Sequence, residues 1–73
     1  LNVYPNPTNS VLNIIGEQNQ LQNATISITN YLGQSALSIP FSNKIDLSQL
    51  SSGMYFLTVQ DKERKRTVKV IKQ

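Results

Sequence analysis

The chain has 73 residues, of which 28 are apolar, 28 are Asn, Gln, Ser or Thr, and none is His, Cys or Trp. Ser-His and Cys-His catalysis, Cys/His metal centres and disulfide staples are excluded with the residues they need. The net charge of +3 sits at one end: six of the seven basic residues fall between Lys62 and Lys72, whereas residues 1–43 hold one charged side chain, Glu17.

This length predicts one small domain that buries only about 60% of the surface its unfolded chain exposes. Residues 1–4 read as a short first strand, followed by Pro5-Asn6-Pro7-Thr8-Asn9. Neither proline has an amide hydrogen for a ladder, so the pair is expected to end the strand, hold Asn6 extended and lead the chain across to a second sheet. Residues 11–15 form a second strand closed by Gly16, and the polar stretch 17–22 is expected to be the most mobile connection. Asn23-Ala24-Thr25 matches a glycosylation acceptor, but Ala24 belongs to an inward-facing set, and the match reads as coincidence.

Residues 24–30 alternate without a break, with Ala24, Ile26 and Ile28 facing a core and Thr25, Ser27 and Thr29 facing water. Gly33 punctuates the chain before a weaker strand at 34–39, and another follows at 44–47. Asp46 is expected to cap a single turn around residues 48–50, as Asx side chains do. Residues 53–60 carry the heaviest pattern: Tyr55, Leu57 and Val59 on one face, Met54, Phe56 and Thr58 on the other. A strand apolar on both faces is expected to be central in its sheet or covered on each side. Asp61 and Glu63 lie in a Lys/Arg-rich hairpin and balance its charge. In the last strand, 66–72, Val68 and Val70 share one face while Thr67, Lys69 and Ile71 share the other. Seven short strands with turn signals every ~8–12 residues predict an all-β fold, an antiparallel sandwich.

Chemistry is sparse. The four carboxylates form no acid–base pair, the alternating oxygen donors of a calcium loop are missing, and three scattered Gly make no phosphate loop. The basic cluster raises nucleic-acid binding. However, Arg64, Lys65 and Arg66 would alternate between faces, and Tyr55 shares parity with the core, so no stacking platform accompanies them. The longest apolar run, Met54-Tyr55-Phe56-Leu57, is far short of the ~20 residues a membrane helix needs. The reading is therefore no enzyme, no cofactor, no metal, no nucleic acid and no transmembrane segment.

The order of motifs says more. Val3-Tyr4-Pro5-Asn6-Pro7-Thr8 is followed by Val11-Leu12-Asn13-Ile14, Asn30-Tyr31-Leu32-Gly33-Gln34 and Ile45-Asp46-Leu47-Ser48-Gln49-Leu50. Ser52-Gly53-Met54-Tyr55-Phe56-Leu57-Thr58-Val59 and Val68-Lys69-Val70-Ile71-Lys72 complete the series. Over essentially the whole chain, it resembles the C-terminal sorting domain of type IX (Por) secretion cargo proteins. The resemblance implies a seven-stranded immunoglobulin-like sandwich at the C-terminal end of a longer exported protein. Such a domain directs its N-terminal cargo domains through the outer-membrane translocon of a Gram-negative bacterium. The route runs by way of the periplasm to the cell surface or beyond, where a sorting peptidase typically removes the domain by cutting upstream of the first motif.

The resemblance also assigns roles. Val68, Lys69, Val70, Ile71 and Lys72 would be the part read by the translocon, through the open backbone of a terminal edge strand. Pro5, Asn6, Pro7, Gly33, Asp46, Leu50, Gly53 and Tyr55 would be mainly structural. Gln34 departs from the basic residue common in the family, and Gln73 extends past Lys72. Open edges also make a strand-mediated dimer an expectation. An alternative reading from another class is a structural or carbohydrate-binding sandwich of a secreted enzyme, with Tyr31 and Phe41 as its aromatic candidates.

Overall fold

Strict alternation along a strand leaves it one face to bury, and two sheets laid face to face satisfy that requirement. The computed structural model describes residues 2–16 and 23–73. Seven strands run through them: β1 (Asn2–Tyr4), β2 (Val11–Ile15), β3 (Thr25–Asn30), β4 (Ser35–Pro40), β5 (Lys44–Asp46), β6 (Gly53–Gln60) and β7 (Lys65–Lys72). One sheet has the order β1-β2-β5 and the other β4-β3-β6-β7, with every neighbouring pair antiparallel. The all-β, immunoglobulin-like sandwich expected from the alternation is thus the architecture found. Its boundaries lie within a residue of those read from the sequence. Leu1 and the connection 17–22 lie outside the described residues.

The core is the set of inward positions. Leu12, Ile14, Ile45 and Leu47 come from the three-stranded side. Ala24, Ile26, Ile28, Tyr55, Leu57, Val59 and Val70 come from the four-stranded side. Val3, Leu37, Ile39, Phe41 and Leu50 pack around them. The radius of gyration, 11.3 Å, matches the ~11 Å of a compact domain this long. Tyr55 fills the interior with its ring and donates its hydroxyl to the Ser51 carbonyl at 2.7 Å, so its polar tip is satisfied where it is buried. No buried side-chain N or O among the described residues lacks a partner.

Turns follow their residues. Asn30 Oδ1 accepts from the amides of Leu32 and Gln34, and Gly33 closes the β3–β4 loop at φ +83°, a left-handed angle that a β-carbon disfavours. The departure at Gln34 has a local use, because its Oε1 accepts from Asn30 Nδ2 at 3.0 Å. Asp46 Oδ1 accepts from the Ser48 amide at 2.8 Å, and the Leu50 amide bonds Leu47 O at 2.9 Å, forming the capped turn predicted there. Gly53 opens β6 at φ +154°, where an added β-carbon would meet only open space, so its requirement is one of backbone angle.

One expectation changes. Pro5-Asn6-Pro7 does end β1 and does lead the chain across to the second sheet, where Thr8 bridges Lys72 on the β7 edge. The chain then returns to the first sheet as β2, which pairs with β1, Asn2 opposite Ile15. Asn6 accordingly lies in a bend, not in an extended stretch, since the chain must reverse between two antiparallel neighbours. β6 is central, between β3 and β7, as expected of a strand apolar on both faces, and Met54 on its outer face is 37% exposed.

Leu57 lies in this central strand and is fully buried. Leu57→Ala is expected to cost about 2–5 kcal/mol by creating a cavity. A chain this long has only ~4–11 kcal/mol in total. A urea titration should therefore show the variant largely unfolded at denaturant concentrations the parent withstands.

Candidate recognition site on the last strand

β7 occupies the edge of the four-stranded sheet and pairs with β6 over eight residues, from Gly53↔Lys72 to Gln60↔Lys65. Its period divides the residues singled out in the sequence into two sets. Val70 and Lys72 are buried and Val68 is half-buried, on the side that faces the core. Lys69 is exposed and Ile71 half-buried on the outer face, opposite Phe56 and Met54 respectively. The five expected recognition residues are therefore contiguous in the chain but not on one surface. Val68, Val70 and Lys72 hold the strand down, and Lys69 and Ile71 are what it presents. Burial of Lys72 is unusual for its residue type. Its aliphatic stem lies inside, and its Nζ donates to the Gln73 carbonyl at 3.1 Å.

The C-terminal part of the β7 edge is not open, as the terminal-edge reading supposed. Asn6 Nδ2 donates to Lys69 O at 2.8 Å, and Asn6 Oδ1 accepts from the Ile71 amide at 3.0 Å. A side-chain amide thus imitates one unit of a neighbouring strand. Thr8 continues the contact with its own backbone. Its amide donates to Ile71 O at 2.9 Å, and its carbonyl accepts from the Gln73 amide at 2.8 Å, a parallel bridge. Thr8 is 1% exposed, and its hydroxyl is satisfied by Val11 O at 2.8 Å. Nothing in the local pattern signals this role for Asn6 and Thr8, because their partners lie more than sixty residues away.

The remaining site residues have structural employment. Pro5 and Pro7 flank Asn6 at the clamp, Gly33, Asp46 and Gly53 shape turns and strand entry, and Leu50 and Tyr55 pack on or in the core. At the hairpin tip, Asp61 Oδ1 accepts from the amides of Glu63 and Arg64 at 2.7 and 2.6 Å. Asp61 therefore does more than balance charge: it closes the β6–β7 turn. The carbohydrate alternative finds no platform. Tyr31 and Phe41 lie beyond opposite ends of β4, and Phe41 packs against the core.

Asn6→Ala removes two hydrogen bonds of ~0.5–1.5 kcal/mol each. The expected result is a loss of about 1–2 kcal/mol, with faster hydrogen exchange at the Ile71 amide and little change at Leu57.

Both capping carboxylates have pKa values below their ordinary range. For Asp46 the chief cause is the Ser48 backbone amide, and for Asp61 the Glu63 and then the Arg64 backbone amides. A depressed carboxylate contributes stability that is fully present above its unfolded pKa, about 4, and is lost as pH falls through the lower folded value. Melting temperature should therefore drop on acidification below about pH 4, and drop less steeply in Asp46→Asn and Asp61→Asn. An equal slope in parent and variants would contradict the assignment.

A search of curated proteins returned no match. The family described as "secretion system C-terminal sorting domain" matches residues 2–73, which is all but the first residue. The clamped sandwich with its basic last strand thus carries a family-wide match, and the chain belongs to the C-terminal sorting domains of type IX secretion.

Proposed function

We propose that this chain is the C-terminal sorting domain of a longer exported protein and that β7 is the part its translocon reads. The family makes the domain a type IX secretion sorting signal, which implies contact with that machinery and delivery to the cell surface or outside. Its role is non-enzymatic. The finer reading adds passage through the periplasm of a Gram-negative bacterium, removal of the domain at the surface by a sorting peptidase, and cargo domains N-terminal to residues 1–73.

One observation carries the assignment to β7. It is the strand in which an exposed cation and a half-exposed aliphatic, Lys69 and Ile71, stand side by side on one face while the opposite face anchors them in the core. A recognition surface of this kind needs no pocket, only a rigid row of side chains on a strand that cannot slip. Register is held because a slip of one residue would bring Lys69 inside and Val70 out.

The test is export of a reporter. Residues 1–73 fused to the C-terminus of a periplasmic reporter, in a host with a type IX system, should bring it to the surface. Deletion of residues 68–73 should leave it in the periplasm. Unchanged surface export after the deletion would overturn the proposal.

A further inference from the structure

Closure of the β7 edge is incomplete. The ladder with β6 uses one set of alternate backbone groups, and those on the odd-numbered residues point away from it, as the bonds of Lys69 O, Ile71 and Gln73 to the clamp show. By the same alternation the amide and carbonyl of Thr67, the carbonyl of Lys65 and the amide of Lys69 face outward. The clamp ends at Lys69 O, and β7 is the last strand in its sheet, so no described strand covers these groups. They are spaced as a strand needs them, and they flank the most basic part of the chain. Lys65, Arg66, Thr67 and Lys69 are all exposed. Residues 61–72 hold six basic side chains against Asp61 and Glu63, and the Asp61 carboxylate is turned into the hairpin backbone.

We infer that the outer edge of β7 from Lys65 to Lys69 is a docking edge, and that its occupant is an extended acidic segment of a partner protein added as a fifth strand. This deepens the sorting reading and rests on it. Main-chain bonds to Thr67 supply the register, and carboxylates at alternate positions of the added strand meet Lys65 and Lys69 on the outer face. A second copy of this chain is the poorer occupant, because two such edges would set like charges against each other.

The experiment uses the 73-residue chain, labelled with 15N, and a capped hexapeptide Glu-Val-Glu-Thr-Glu-Val as probe. Amide shifts are expected at Thr67 and Lys69 and not at Ile71, which Asn6 already holds. Affinity should fall about tenfold in ~0.5 M salt and for the peptide with Gln in place of Glu. Thr67→Pro removes one outward amide without touching the ladder to β6, which edge positions tolerate, and should abolish binding while leaving the circular dichroism of the fold intact. Lys65→Glu with Lys69→Glu keeps every backbone donor and should also lose binding, so the outcome does not hang on one variant. Absence of binding at about millimolar peptide, equal binding of the Gln peptide, or shifts centred on β4 or on Ile71–Gln73 would overturn the inference. Peptide binding says nothing of export, so these failures are distinct from surface export that persists without residues 68–73.

Discussion

Four hydrogen bonds between residues 6–8 and 69–73 fasten the beginning of the domain to its end. They are modest individually, since each replaces bonds to water, and a typical net worth is ~1 kcal/mol. Their position gives them their weight. β7 meets only one strand in its sheet, β6, and its C-terminal end would otherwise be a frayed edge of the kind where local opening starts. Asn6 and Thr8 supply the missing neighbour there. The inward set Val68, Val70 and Lys72 can then stay packed, and with it the outward set stays fixed in space. The presentation of Lys69 and Ile71 therefore depends on residues at the other terminus of the domain.

This arrangement suits recognition without chemistry. With about 60% burial and no cysteine for a disulfide, a domain of this size has little stability to divert into a pocket lined with unsatisfied groups. Placing information on the outer face of a strand costs almost nothing, because that face is exposed in any case. The same backbone period that buries Val70 displays Lys69 and Ile71. The interior and the displayed face are two halves of one pattern, which is why a core substitution in β7 would also disturb the surface.

Much of this was legible in the sequence because alternation is a local property. Ala24, Ile26 and Ile28 announce their inward face within seven residues, and the Asp46 cap is written in three. Gly33 marks its turn by residue type alone. What was not legible is non-local. Pro5 and Pro7 show that a strand stops and the chain crosses over, but which strand it then meets depends on β7, more than sixty residues away. The Asn6 side chain as a substitute strand has no pattern to betray it, since any exposed Asn looks alike in sequence. Lys72 misleads for a related reason. A lysine at a strand end reads as solvated by its charge, yet its stem shares the parity of Val70, and here parity decides where it goes. The resemblance singles out residues 68–72 as a unit, while only the fold separates them into anchored and displayed side chains.

A four-edged sandwich has to manage every open ladder or aggregate. β1 and β5 are three residues each, too short to template a partner. β4 ends in Pro40, and its register against β3 is broken by an irregularity between Ile28 and Thr29. β7 is the long edge, and it is treated in two ways along its length: a clamp over Lys69–Gln73 and lysines along Lys65–Lys69. Lysine on an edge repels copies of itself, and it does so only by being open to an opposite charge. On the proposed reading, the charge that opposes pairing of like edges is also the feature that would select an acidic partner, so solubility and specificity would follow from the same few side chains.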